Sequence, residues 1–290
     1  MSRNSVELLA RDGLRARDNG EWAEEKLDFI STFAPPAFIV TQGKRSRWYI
    51  DLFAGPGLNV IRGSRREIDG SPLRALEVHA STTSSLAFTD AIFVNSNQGD
   101  HAALGTRVER RRGEGRCVIP SGHVSCRNAD ANQEIHSIMS QVHKKAYAFV
   151  FVDIEAPRQF PWATVQALRS RGHESVDLYM LFHLDMALRR LLSTNPVTVA
   201  QSATVLNEFY GNENWRPLLE TRRSEIGIGA QRLYLDQLRG LWTYADEVCD
   251  IRKGGSHRLY KMLYASDHPA GRRLAKWTAK HNGPPMFDFG

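Results

Sequence analysis

Between residues 46 and 182, short apolar runs recur with segments of helical length between them, and this alternation restricts the chain to few architectures. The runs 48–53 (WYIDLF), 91–94 (AIFV), a stretch around 117–127, 146–152 (AYAFVFV) and 176–182 (VDLYMLF) read as five short buried strands. The intervening segments 71–80, 99–112, 131–143 and 162–170 read as helices, the first opening on Ser71 as N-cap with Pro72 at the first helical position. Strand and helix repeated in this order require right-handed crossovers and a mostly parallel sheet covered on both faces.

Farther along, 197–210 and 229–244 carry helical patterns. Two strand-like runs, 247–252 and 258–265, then flank Lys253-Gly254-Gly255-Ser256, a hairpin signal, and a last helix follows over 269–280. Upstream, the segment 21–33 spaces Trp22, Leu27, Ile30 and Phe33 for one buried helical face, and Pro35-Pro36 is expected to end that helix. The expectation is one α/β domain over 46–290, with five parallel strands and an antiparallel pair. A helical extension over 1–45 precedes it, and a helical insertion interrupts it at about 193–245.

Three cysteines, Cys117, Cys126 and Cys249, form no CxxC pair and fit a reducing compartment, so the cytoplasm is the expected location. No apolar run approaches the roughly 18 residues that cross a bilayer, and the first residues lack the apolar core of an export signal. No membrane partner is expected. The net charge is +6, and 30 of the 38 basic residues are arginine. That excess fits either phosphate binding or a bias in arginine usage, and +6 over 290 residues is too mild to identify a nucleic-acid partner. Cys117, His123 and Cys126 are close in sequence, but C-x5-H-x2-C is not a common zinc frame and it falls on an expected buried strand; no metal is expected.

The sharpest local feature is Asp51-Leu52-Phe53-Ala54-Gly55-Pro56-Gly57, at the end of the first strand. In an open parallel sheet, ligands bind beyond the carboxyl ends of the strands, and glycines in the turn let the backbone approach them. The turn lacks GxGxxG spacing and no GK[ST] follows, which disfavours a dinucleotide or a P-loop nucleotide. Two arginine groups stand out. Arg62, Arg65 and Arg66 lie in a segment on the ligand side of the sheet, available to phosphate, carboxylate or nucleic acid, although a mobile surface loop is the commoner explanation of such a cluster. Arg107, Arg110, Arg111 and Arg112 end a helix, where a solvated face suffices.

The turn DLFAGPG resembles the first motif of class I S-adenosylmethionine-dependent methyltransferases. Together with Asp69-Gly70-Ser71-Pro72-Leu73-Arg74-Ala75-Leu76, AFVFVDIEAPRQFPW, VDLYMLF with Arg189-Arg190 downstream, LYKMLYASDHPAG and the opening stretch EWAEEKLDFISTF, it resembles the three-Cys-motif partner family, TcmP, from about residue 21 to residue 280. The resemblance implies a Rossmann-like seven-stranded methyltransferase sheet holding S-adenosylmethionine, in keeping with the five-plus-two strand count. It also implies an acidic small molecule or nucleic acid as acceptor, and a three-Cys-motif protein as partner. The three-cysteine motif itself belongs to that partner.

By position, the resemblance makes Asp51, Phe53, Ala54, Gly55 and Gly57 cofactor contacts. Asn95 stands where the second strand of such folds ends in an acid for the ribose hydroxyls; it offers a donor and an acceptor without the charge. Asp130 is placed to accept from the adenine amino group, to cap the next helix, or both. Asp153 ends the fourth strand. Related sequences read like Asp-Pro-Tyr there, and this chain has Asp153-Ile154-Glu155, so the arrangement that orients an attacking amine is altered. Asp153 and Glu155 remain the candidate catalytic carboxylates, against a capping role or an ion pair with Arg158. Arg62, Arg65, Arg66, Ser71 and Trp162 are the candidate substrate-binding residues. The alternative to a complete enzyme is a catalytically altered subunit that binds S-adenosylmethionine and works only with a partner protein.

Overall fold

A computed structural model of the protein describes residues 8–80, 86–182, 191–192, 196–222, 224–253 and 257–281. In chain order the elements are β1 (Arg17–Asn19), α1 (Trp22–Val40), β2 (Arg47–Asp51), β3 (Leu58–Ile61), β4 (Glu67–Asp69), α2 (Ser71–Glu77), β5 (Asp90–Asn95), α3 (Gln98–Gly113), β6 (Val124–Asn128) and α4 (Ala131–Gln141). They continue as β7 (Tyr147–Val152), α5 (Trp162–Ala167), β8 (Ser175–Phe182), α6 (Pro196–Tyr210), α7 (Ile226–Arg239), β9 (Tyr244–Lys253), β10 (His257–Ser266) and α8 (Pro269–Thr278).

Seven strands form one sheet in the order β6-β5-β2-β7-β8-β10-β9. The pairs from β6 to β8 are parallel, while β10 runs antiparallel to β8 and to β9. This is the expected α/β sheet of five parallel strands closed by an antiparallel hairpin. Arg189, Arg190 and the hairpin residues Gly254, Gly255 and Ser256 lie outside the described residues.

The two faces of the sheet bury separate apolar layers, as strand periodicity dictates. Tyr49, Phe93, Phe149, Tyr179 and Tyr264 face α1, α2, α3 and α8, whereas Ile50, Val94, Val150, Leu178 and Met180 face α4 to α7. On the α1 side, Phe29 stacks on Tyr179 with ring centroids 3.9 Å apart, and Phe33 meets Phe149 and Tyr264. Alternation also puts Asp51, at the end of β2, and Asp153, just past β7, on the α1 face.

Four expectations are corrected. Pro35 and Pro36 do not end α1, which runs on to Val40. Proline costs a helix interior about 3 kcal/mol; here burial of Ala34, Ala37 and Phe38, the last edge-on to Phe88 at 4.8 Å, holds the final turns in place. Ser71 is not the N-cap of α2: Gly70 occupies that position, and the Ser71 hydroxyl is used elsewhere. The stretch around 117–127 is strand only from Val124, and His123 before it pairs with Asp90 at 2.7 Å. The segment carrying Arg62, Arg65 and Arg66 is not a plain loop. It is the turn of the β3–β4 hairpin, which joins β1 in a separate three-stranded sheet.

Candidate functional site

The turn after β2 is built from its own residues inward. Gly55 and Gly57 hold φ of +65° and +89°, a region that side chains with a Cβ rarely adopt. A Cβ on Gly57 would meet Leu104 at 3.0 Å, so this glycine serves packing. A Cβ on Gly55 would meet the Arg17 guanidinium at 3.4 Å. Asp51 stands behind the turn, fully buried, accepting from the Phe53 N–H at 3.2 Å and from the Ser71 hydroxyl at 2.6 Å. Burial, with the Asp153 charge nearby, pushes its pKa up to about 7. Asp51 and Ser71 thus shape the turn together.

Beyond the carboxyl ends of β2, β5, β6 and β7 opens a cavity of about 470 Å³. Phe53, Asn95, Asp130, Asp153 and Glu155 line it, with Arg17 at one side. Asp51 is absent from its wall. A narrow crevice lined by Phe53, Ala54, Gly55, Gly57, Lys26 and Ser71 adjoins it and shares Arg17 and Asp153. Asn95 donates from Nδ2 to the Gly55 carbonyl at 2.9 Å, tying β5 to the turn. Among the described residues no donor reaches its Oδ1, which leaves that oxygen available as an acceptor. Asp130 caps α4, accepting from the Asn132 N–H at 2.7 Å. Asn132 in turn donates to the Gln159 carbonyl and accepts from Thr164.

Asp153 is held by two cations. Lys26 Nζ lies 2.5 Å from its Oδ2, with a side chain only 4% exposed, and Arg17 Nη1 donates to the same oxygen at 3.3 Å. Asp153 thus pairs with α1 and β1, and the Arg158 ion pair weighed as its alternative role is not among these contacts; Arg158 and the exposed Glu155 lie at the cavity wall. Sequence reasoning passed over Lys26, although the signal was there: it sits between Trp22 and Ile30 on the stripe that α1 buries. A lysine on such a stripe requires an acid to meet it. For Arg17, in a three-residue strand, the local sequence offers no comparable signal.

A second clamp comes from Arg107, which is buried and not part of a solvated face. Its guanidinium donates to both carboxylate oxygens of Asp12, at 2.8 and 2.9 Å, to the Arg15 carbonyl at 2.7 Å and to the Pro56 carbonyl at 2.6 Å. One side chain of α3 thereby fastens the segment before β1 against the glycine turn. Of the remaining candidates, Arg62 pairs with Asp18 and Arg66 with Glu24, Arg65 takes φ +58° in the hairpin turn, and none of the three lines the cavity. Trp162 is buried edge-on to Tyr234, away from the cavity. Among the described residues no group of three or more His, Cys, Asp or Glu side chains could hold a metal ion, and no helix is long and apolar enough to cross a membrane.

The strand order, with the antiparallel strand β10 lying between β8 and β9, is the Rossmann-like seven-stranded arrangement of five parallel strands and an antiparallel pair. No protein-family model matches the chain, and no curated protein matches it. Among solved structures it is similar to a Legionella pneumophila protein of the DUF519 family, with a TM-score of 0.46 and 9% identity over 88% of this chain and 91% of that one. It is also similar to a Streptococcus mutans protein in complex with SAH, at a TM-score of 0.39 and 9% identity over 84% and 96% of the two chains. The plantazolicin methyltransferase BamL, in complex with a triazolic desmethylPZN analog and SAH, has a TM-score of 0.39 and 12% identity over 86% and 87%.

Proposed function

We propose that this chain is an S-adenosylmethionine-dependent methyltransferase of the TcmP type, acting on an acidic small molecule or a nucleic acid. The observation that carries the reading is the turn Asp51–Gly57 at the centre of a sheet of this strand order, opening into a polar cavity beyond the strands' carboxyl ends. The residues suit the cofactor's parts. Asp130 offers acceptors to an adenine amino group, Asn95 Oδ1 an acceptor to a ribose hydroxyl, and the Phe53–Gly57 turn a backbone open to close approach. Arg17 brings a guanidinium to the same crevice, suited to an α-carboxylate.

When bound, S-adenosylmethionine supplies a methyl group already activated on a sulfonium, so the protein's task is to orient the acceptor and exclude water. In this reading Asp153, fixed by Lys26 and Arg17, presents its carboxylate to the acceptor, and Glu155 at the rim is free to take its proton. Titration of S-adenosylhomocysteine into the full chain is expected to saturate, and Gly55→Ala, which strains the turn and crowds Arg17, is expected to weaken it. An absence of saturable binding would overturn the reading.

A second reading has its own observation. The Asp153 carboxylate that would meet an acceptor already receives two cations on Oδ2, which favours a cofactor-binding subunit that works only with a three-Cys-motif partner. Turnover of a defined acceptor by the isolated chain, abolished by Asp153→Ala with cofactor binding intact, decides for the complete enzyme. The nucleic-acid branch requires binding that weakens steeply with salt, by about one log-log slope unit per phosphate contact; a flat response excludes it.

A further inference from the structure

A second cavity, of about 220 Å³, lies at the opposite end of the sheet, where the last turns of α1 meet the starts of β7 and β8 and the β10–α8 junction. Nothing in the cofactor reading uses it. Phe33, Ala37, Val40 and Leu274 supply apolar wall, and Asp177 supplies a carboxyl that is only 5% exposed. Asp177 is the charged residue inside the apolar run of β8, on the face turned to α1. Tyr147 donates to its Oδ2 at 2.9 Å and Tyr264 donates to the same oxygen, while the Ser266 hydroxyl donates to the His268 carbonyl at 3.5 Å.

These are neutral donors. Among the described residues no lysine, arginine or histidine pairs with Asp177, whereas the other acids at the cavity have cations of their own: Glu174 has Lys44 at 3.7 Å and Asp267 has Arg169 at 2.5 Å. His268 caps α8, accepting from the Ala270 N–H at 3.2 Å. A carboxyl taken out of water without a counter-charge is costly, and its site favours whatever cation reaches it. The cavity is smaller than the roughly 300–1,000 Å³ that hold drug-sized ligands. Its acids disfavour an anion and its apolar wall disfavours a bare metal ion.

We propose that this cavity binds a small organic ammonium ion, with the ammonium against Asp177 and an apolar body along Phe33, Ala37, Val40 and Leu274. The proposal is independent of methyl transfer.

Phenethylammonium, titrated into the full chain by calorimetry or followed by NMR shifts, is the probe, with 2-phenylethanol and 3-phenylpropionate as the neutral and anionic controls. The expected result is saturable binding of the amine, weaker by roughly tenfold or more for either control, as loss of a charge-assisted contact requires. Asp177→Asn, checked for folding by circular dichroism, is expected to abolish the preference for the amine. Val40→Trp, at a half-exposed position on the wall, narrows the cavity with the Asp177 network intact and is expected to weaken binding too. No saturable amine binding, equal binding of the alcohol, or amine binding unchanged in both variants overturns the proposal.

Discussion

Replacing Asp51 by Asn tests how the glycine turn is held. The carboxyl is fully buried, hydrogen-bonded to Ser71 and to the Phe53 N–H, and its pKa is pushed from 3.8 up to about 7, first by burial and then by the Asp153 charge. A carboxyl that holds its proton more tightly in the folded state weakens the fold as pH rises. The penalty is absent below the unfolded value, grows between about pH 4 and 7, and is constant above. A shift of this size is worth on the order of 4 kcal/mol, or about 1.4 kcal/mol per pH unit across the window. Asn is nearly isosteric, keeps an acceptor for the Phe53 N–H and can donate to Ser71 Oγ, but it does not ionise. Urea unfolding of both chains from pH 4.5 to 8 measures the difference directly. Titrating groups not coupled to Asp51 cancel, among them Asp177, whose pKa burial raises, and Glu24, whose pKa the hydrogen bond from Arg66 lowers. The variant is expected to gain on the natural chain steadily through the window and to be the more stable of the two at pH 8. A difference that does not change with pH would falsify the account of Asp51.

Substitutions at three further positions address the other supports of the site. Arg107→Ala leaves Asp12 and three backbone carbonyls without their buried donor, and is expected to cost about 3–5 kcal/mol in urea unfolding and to speed proteolysis near Arg15. Lys26→Met takes the buried cation from Asp153 and is expected to lower stability by about 3 kcal/mol, with Lys26→Arg recovering part of it; unchanged unfolding midpoints would refute the pairing. Asn95→Asp introduces the acid that the proposed cofactor reading would place at this strand end, yet it sets a carboxylate against the Gly55 carbonyl where Nδ2 now donates. It is expected to cost about 1–3 kcal/mol and to weaken S-adenosylhomocysteine binding; tighter binding would show that Asn95 does not support the turn.

The strands with continuous apolar runs were legible because burial on both faces leaves few other readings for AYAFVFV or VDLYMLF. The glycine turn was legible because two glycines directly after a strand mark a backbone that must turn tightly or be approached closely, and both take positive φ. What escaped was decided by contacts between distant segments. The strands β1 and β4, RDN and EID, are three residues each and too short to show a period, so the small sheet they form with β3 was invisible. Arg107 belongs to an arginine-rich helix end that looks solvated until Asp12, ninety-five positions earlier, folds across it. Ser71 looked like a cap because Pro72 follows it, and the buried Asp51 claimed its hydroxyl instead. Pro35-Pro36 looked like a stop until the burial of Phe38 outweighed the local penalty.

A crystal structure of the full chain with S-adenosylhomocysteine tests the central claim most directly. The account predicts the ligand in the cavity beyond β2, β5, β6 and β7, with its adenine near Asp130, its ribose within hydrogen-bonding distance of Asn95 Oδ1, and its amino-acid end in the crevice beside Gly55 and Arg17. Density for the ligand anywhere else, or crystals soaked at saturating concentration that show none, would contradict it.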